Sequence, residues 1–302
     1  MSKKVRKKKF GNNAFQSYLM LSPQIFGFLV FSIYPMLWAI NKSFYFYNTI
    51  PSDTRFIGLE NFRILFSDSN YWQAFGNTLL FAIMKIPFEL SIALLLAVIL
   101  NTKIRGKGFF RAMFYLPNVV SIAIIALIFS NIFSYFGVVN SALTKIGIMD
   151  VPIDWFSTKM KSMLILVIAD TWKSLGVNVL YFLAALQNVP DDVYESAKLD
   201  GANAWTVFSK ITVPMIMPVL GIILMLSIVG TLGTNELVLV LTNGAPGGST
   251  FTVNSYIFGN YAPGMADVGV NVGYGCAMSL VTGILLACIT LGYRKLSAKM
   301  SS

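Results

Sequence analysis

The chain contains no histidine. That absence removes imidazole acid/base catalysis, haem ligation by histidine and most zinc sites. Charge is scarce as well: Asp, Glu, Lys and Arg make up 12% of 302 residues, while 56% are hydrophobic. A soluble domain carries roughly 25% charged residues, so this composition belongs in a membrane. There are two cysteines, Cys276 and Cys288, in one apolar run. Twelve helical residues hold them about 18 Å apart, and a disulfide needs Cα atoms within about 7 Å. They read as small hydrophobes. No P-loop is present either, since that motif needs GxxxxGK[ST]. GAPGGST (244–250) has glycines but no lysine, and Gly106-Lys107-Gly108 lacks the rest. The chain therefore has no nucleotide site of its own. Without histidine, a Ser–His protease pair is excluded too, and no metal site is expected.

What the chain does have is apolar length. A span needs about 20 apolar residues, and six such runs occur, roughly 18–41, 75–101, 112–135, 162–187, 215–241 and 270–292. The basic start MSKKVRKKK is followed by an apolar run too long for a signal peptide, with no small-residue cleavage site after it. The first run is thus expected to be a retained span, with residues 1–17 a basic cytoplasmic N-terminus. Cytoplasmic loops accumulate Lys and Arg. With the N-terminus inside, fifteen Lys and Arg fall on the cytoplasmic side against six outside. Both termini are then cytoplasmic. The net charge of +10 reflects this bias, and its residues form no extended groove for nucleic acid.

Between the fourth and fifth runs lies a polar stretch, 190–214. Pro190 with Asp191 and Asp192 signals a helix start, giving a helix over 191–199. Gly201 supplies a turn that needs no Cβ, and Asn203 can cap a second helix over 204–212. Pro214 limits helical continuity at Val213. Tyr194, Ala197, Val207 and Ile211 lend the unit an apolar component too small for a core. A loop between spans needs no such order, so the helix–turn–helix reads as a docking element facing the cytoplasm.

The same stretch carries a family resemblance. Glu195-Ser196-Ala197, three residues, Gly201, nine residues, then Ile211-Thr212-Val213-Pro214 resembles the Glu-Ala-Ala signature of bacterial ABC importer permeases. Ser196 and Val213 are mild departures. GLENFRILFSD (58–68), NTKIRGKGFFRAMFYLPNVVS (101–121) and LTNGAPGGST (241–250) are similar to the carbohydrate-uptake, maltose-type branch. The resemblance covers nearly the whole chain. It implies a permease subunit of an ATP-driven, binding-protein-dependent importer of sugars, oligosaccharides in particular, in a bacterial cell membrane. It further implies a second homologous permease, two ATP-binding cassette subunits that carry ATP and Mg, and an extracellular sugar-binding protein. On that reading Glu195, Ser196, Ala197, Gly201, Ile211 and Pro214 couple the chain to the ATPase, and the chain is no enzyme.

Ionisable groups inside spans are costly and mark functional hypotheses. In the fourth run Asp170, Lys173, Ser174 and Asn178 fall on one polar stripe. Asn77, Thr78, Lys85 and Glu89 do so in the second, and Ser227, Thr231, Thr234 and Asn235 in the fifth. Lys85, Asp170, Lys173 and Ser227 come near mid-depth. The pathway candidates are therefore Lys85, Glu89, Asp170, Trp172, Lys173, Asn178, Ser227, Thr231 and Asn235, with Trp172 and also Tyr181 as aromatic faces for sugar. Two readings stay open here: Asp170 and Lys173, i,i+3 apart, either neutralise each other or line the path. A rival from another class is an ion-coupled secondary transporter using Asp170 or Glu236. The expected fold is an all-α integral membrane protein, a single permease domain over 1–302 with about six transmembrane helices and a cytoplasmic coupling loop at 190–214.

Overall fold

A computed structural model describes residues 11–102, 105–267 and 269–300. The basic run 1–9 and Lys103 lie outside the described residues. The chain divides into two compact units, residues 1–66 with 268–280, and residues 67–267 with 281–302.

The first unit opens on one long apolar segment. Helix α1 (Gly11–Phe28) passes through a π turn (Leu29–Ile33) into α2 (Tyr34–Lys42). Residues Phe15–Lys42 are long and apolar enough to cross a membrane, and none of the window is buried within the protein. A two-stranded antiparallel sheet follows, β1 (Tyr45–Phe46) with β2 (Arg55–Phe56), and then α3 (Glu60–Ser67). The GLENF motif now has a physical reason. Asn61 is fully buried, donating from Nδ2 to the carbonyls of Ser43 (2.8 Å) and Tyr45 (3.0 Å). Its Oδ1 accepts from Asn271, whose own Oδ1 accepts from the Tyr47 amide. One amide side chain thus satisfies backbone groups that the short strands leave open.

The second unit is built on long helices. Asp68 caps α4 (Ser69–Asn101) by accepting from the amides of Asn70 and Tyr71. Then come α5 (Lys107–Val119), α6 (Ile122–Ile132), a short α7 (Val138–Lys145) and α8 (Lys159–Gln187). Helices α9 (Asp191–Leu199) and α10 (Ala204–Val207) form the polar insertion. Helices α11 (Val213–Leu232), α12 (Glu236–Leu241) and α13 (Val253–Tyr261) follow, and α14 (Val272–Met300) ends the described chain. Helices α4 and α8 form the central pair. Ala93 and Ala97 leave room for Val179, Phe182, Leu183 and Leu186 to pack against them. A second cluster joins Phe81, Ile125, Phe129, Met163, Leu166 and Leu237.

Three expectations about the spans need correction. The run 112–135 is no straight span: α5 and α6 meet at a bend of 97°. The Val120 amide turns back to the Pro117 carbonyl three residues earlier, which closes α5, and Ser121 is extended before α6 restarts. The run 215–241 ends early, at Leu232, and α12 is a separate helix after the Gly233–Asn235 break. Pro214 does not break helical continuity. The second insertion helix stops as α-helix at Val207, passes through a π turn (Phe208–Thr212) and enters α11 directly. A π turn widens the ladder by one residue, so proline at the second position of the next helix needs no donor there. Asn77 and Thr78 have a structural duty. Asn77 Nδ2 donates to the carbonyls of Ser249 and Phe251 at 2.8 Å, and Thr78 Oγ1 accepts from the Val253 amide. They pin the 249–253 loop to α4.

Where α5 crosses α8, the backbones touch at Gly176. A Cβ there would come within 2.8 Å of Tyr115 Cα and closer still to the Phe114 carbonyl. Gly283, inside α14, has nothing within 4 Å of its Cβ position. Gly176→Ala is therefore expected to destabilise by about 1–3 kcal/mol, the range of an overpacked core, while Gly283→Ala is neutral or better. Thermal unfolding of the purified variants checks this; equal melting temperatures for both would refute the close crossing.

Candidate functional site

Helices α4, α8 and α11, with the ends of α5, α6 and α12, line an open cavity of about 470 Å³ that carries many polar side chains. At its wall sits a buried charge network. Lys85 Nζ lies 2.6 Å from Asp170 Oδ2, 3.5 Å from Glu89 Oε2 and 3.4 Å from Thr231 Oγ1. The ammonium thus stands at ion-pair distance from carboxylates on α4 and α8 and within hydrogen-bond reach of a hydroxyl on α11. Glu89 Oε1 in turn accepts from Ser174 Oγ and from Asn178 Nδ2, the latter at 2.8 Å. Ser227 Oγ reaches Asn178 Oδ1 at 3.4 Å. Lys85, Glu89, Asp170 and Asn178 are all buried.

This geometry overturns one open reading. The partner of Asp170 is Lys85 on α4, not Lys173. An i,i+3 pair on α8 would take from the buried Lys85 its nearer carboxylate and leave it only Glu89 at 3.5 Å, and the cross-helix pair avoids that cost. Lys173 lines the same cavity, half-buried and with no ion pair among the described residues. Of the pathway candidates, Lys85, Glu89, Asp170, Lys173, Asn178, Ser227, Thr231 and Asn235 are brought together in the lining, as is Tyr181. Trp172 is not. Two residues past Asp170, about 200° around the helix, the ring is turned off the polar stripe and packs against Phe129 on α6 with centroids 5.8 Å apart. The lining also includes Asn118, Thr234 and Glu236. Asn118 was invisible in the sequence because it reaches the cavity only through the broken span, beside Pro117. Among the described residues no group of three or more carboxylates and thiols is arranged for a metal.

The insertion forms a second, separate feature. Helix α9 closes in a paired-bond turn: the Gly201 amide donates to Lys198 O and the Ala202 amide to Ala197 O. Gly201 sits at φ +74°, which glycine adopts without strain. Asn203 Oδ1 then accepts from the Thr206 amide at 2.8 Å and caps α10. Ala197 is buried, while Glu195, Ser196 and Gly201 face outward and Ile211 is half-buried. Sequence reasoning missed the two residues that crown the turn. Leu199 is 88% exposed and Trp205 73% exposed. Large apolar side chains flanking an ordered turn were the available signal.

Comparison with known proteins adds three findings. Residues 89–302 match the family model described as binding-protein-dependent transport system inner membrane component. The chain is 37% identical to the lactose transport system permease protein LacF of Rhizobium radiobacter, over 80% of this chain and 81% of that protein. It is 32% identical to the trehalose/maltose transport system permease protein MalF of Thermococcus litoralis, over 92% of each. Its fold superposes with a TM-score of 0.81 on a chain of a bacterial alginate ABC transporter solved with an alginate pentasaccharide-bound periplasmic protein. That match is 25% identical and covers 96% of both chains.

The ion-pair assignment is testable. Lys85→Gln leaves two buried carboxylates without their cation and is expected to cost about 3–5 kcal/mol, seen as lost membrane-inserted protein and a lowered melting temperature. Asp170→Asn added to it restores part of the loss. Lys173→Gln alone leaves stability near wild type. A large loss from Lys173→Gln, rescued by Asp170→Asn, would reinstate the i,i+3 pair.

Proposed function

The chain belongs to the family of binding-protein-dependent transport system inner membrane components, and from that membership we propose that it imports sugar, in particular oligosaccharide, as one permease half of an ATP-driven complex. A multi-pass ABC permease is no enzyme; it supplies the path. The observation that carries the reading is the ordered turn of α9 and α10, an exposed knob whose residues follow the family's coupling signature. We place this knob in a groove of an ATP-binding subunit, which holds ATP and Mg. A second homologous permease completes the membrane path, and an extracellular sugar-binding protein delivers the substrate. The sugar-permease relatives and the periplasmic protein bound to the alginate transporter support that set of partners. Both termini and the knob face the cytoplasm, as the Lys and Arg bias implies.

Several features of the cavity suit a sugar. Neutral hydroxyls need dense, fixed donors and acceptors, and Asn178, Ser227, Thr231, Thr234 and Asn235 supply them beside the face of Tyr181. The ion-coupled alternative gains no support. A proton carrier must exchange its proton, and the Asp170 carboxylate is bound to an ammonium at 2.6 Å.

Coupling is tested at the turn. Gly201→Val meets no neighbour, since nothing lies within 4 Å of the Cβ position. It forces a branched residue into the left-handed region, at a cost of about 1–2 kcal/mol. The complex should assemble, and sugar-stimulated ATP hydrolysis in proteoliposomes should be lost; Glu195→Lys should behave alike. Normal stimulation in both variants would remove the knob from coupling.

Orientation is tested by labelling on a background of Cys276→Ala and Cys288→Ala. An impermeant thiol reagent added to intact cells should reach Ser141→Cys, exposed on α7, and not Asp200→Cys, exposed beside the turn. The reverse pattern would invert the topology.

A further inference from the structure

A second cavity, of about 510 Å³, lies where the insertion meets the ends of the central pair. That is room for a small molecule, and no residue of the coupling signature lines it. One wall is α9, whose Asp191, Tyr194 and Lys198 share a face at i, i+3 and i+7. The last turn of α4 contributes Asn101 and Thr102, and Leu186, Val207 and Phe208 add apolar surface. Neither Asp191 nor Lys198 has an ion pair among the described residues, and two helical turns, about 10 Å, separate them along α9. The Asn101 side-chain amide makes no hydrogen bond among the described residues; only its backbone carbonyl is engaged, by Lys107. The Tyr194 ring is anchored in the wall, its hydroxyl accepting from Thr212 Oγ1 at 3.4 Å.

These groups select a chemistry. The pocket wall carries one carboxylate and one ammonium, so its charges cancel. An anion drawn to Lys198 also meets Asp191, and a cation drawn to Asp191 also meets Lys198; each pays a like-charge penalty. A neutral molecule rich in hydroxyls pays neither. Its hydroxyls can donate to Asp191, accept from Lys198 and do both with the Asn101 amide. The C–H face of a sugar ring suits the aromatic and apolar surface beside them.

We propose that this pocket binds a neutral mono- or disaccharide from the cytoplasm, and that the bound sugar braces the insertion against α4 and slows the transport cycle. A ligand favours whichever arrangement it binds best. One that touches both α9 and α4 holds the insertion in the position that forms the pocket. The purpose of the site rests on the sugar-import reading: sugar accumulated inside would restrain further entry. Its location is separate from the cavity between α4, α8 and α11, with which it shares no lining residue.

The test reads binding and its effect separately, on the assembled complex. Thr102→Cys, on the background of Cys276→Ala and Cys288→Ala, puts an exposed thiol at the pocket. In detergent, at least one of glucose, galactose, maltose and lactose, at about ten times its Kd, should slow reaction of that thiol about tenfold. Glucose 6-phosphate should protect far less. Lys198→Gln removes a charge-assisted hydrogen bond and should weaken the sugar's affinity about tenfold, while Lys198→Arg should keep most of it. With the same sugar on the ATPase side of proteoliposomes, binding-protein-stimulated ATP hydrolysis should fall in wild type, and Lys198→Gln should lose that inhibition. Protection by none of the four sugars would overturn the proposal. So would equal protection by glucose 6-phosphate, unchanged protection in Lys198→Gln, or protection without any fall in hydrolysis. Thiol protection does not depend on what the complex imports, so this site can fail while the coupling test at Gly201 succeeds, and the reverse.

Discussion

The permease is organised around one buried ammonium. Taking a charge out of water costs several kcal/mol even after relaxation, and Lys85 sits near the middle of a 33-residue helix. That cost is offset only while Glu89, Asp170 and Thr231 all stand in place. Three helices are therefore held at one depth by a single group. The cavity lies beside it, where these charges meet, while apolar clusters pack the same helices elsewhere along their length. Glu89 extends the constraint to Ser174 and Asn178, and Asn178 to Ser227. Polar groups otherwise costly in hydrocarbon thus become a scaffold that leaves Lys173 and several amides turned toward the space.

The parts away from this network follow different physics. Small residues set both close helix contacts of α8, Ala93 and Ala97 where α4 packs on it and Gly176 where α5 crosses it, as helices must where lipid is no less apolar than leucine. The insertion at α9 and α10 relies on backbone bonds and caps, with almost no core of its own. Its order comes from Gly201, Asn203 and the buried Ala197. Such a unit keeps its shape with Leu199 and Trp205 left exposed at its turn.

Much of this was legible beforehand, for identifiable reasons. Apolar length marks spans, so four of the six expected runs appeared as single long helices, and the start signals at Asp191 and Asn203 fixed where both insertion helices begin. Polar stripes at helical spacing located the cavity lining. What failed depends on relations between helices. Periodicity on α8 alone offered Lys173 to Asp170, and only the position of α4 reveals Lys85 as the partner. Trp172 follows the stripe in sequence but not around the helix. The bend between α5 and α6 comes from where Val120 finds its acceptor, and the continuity past Pro214 from a π turn. Composition encodes neither. Gly176 reads as an ordinary glycine until another backbone is seen against it.

The π turn at Phe208–Thr212 has a mechanical meaning. It makes the insertion and the cavity wall one helical rod, 29 residues from Ala204 to Leu232, about 43 Å at helical rise. A hinge at that point would absorb a push at Trp205 locally. A continuous rod has no such slack: a tilt imposed at one end arrives at the other, where Ser227 and Thr231 face the cavity. The far end is also where Thr231 touches Lys85. The tip and the residue that touches the buried ion pair thus belong to one continuous helical segment.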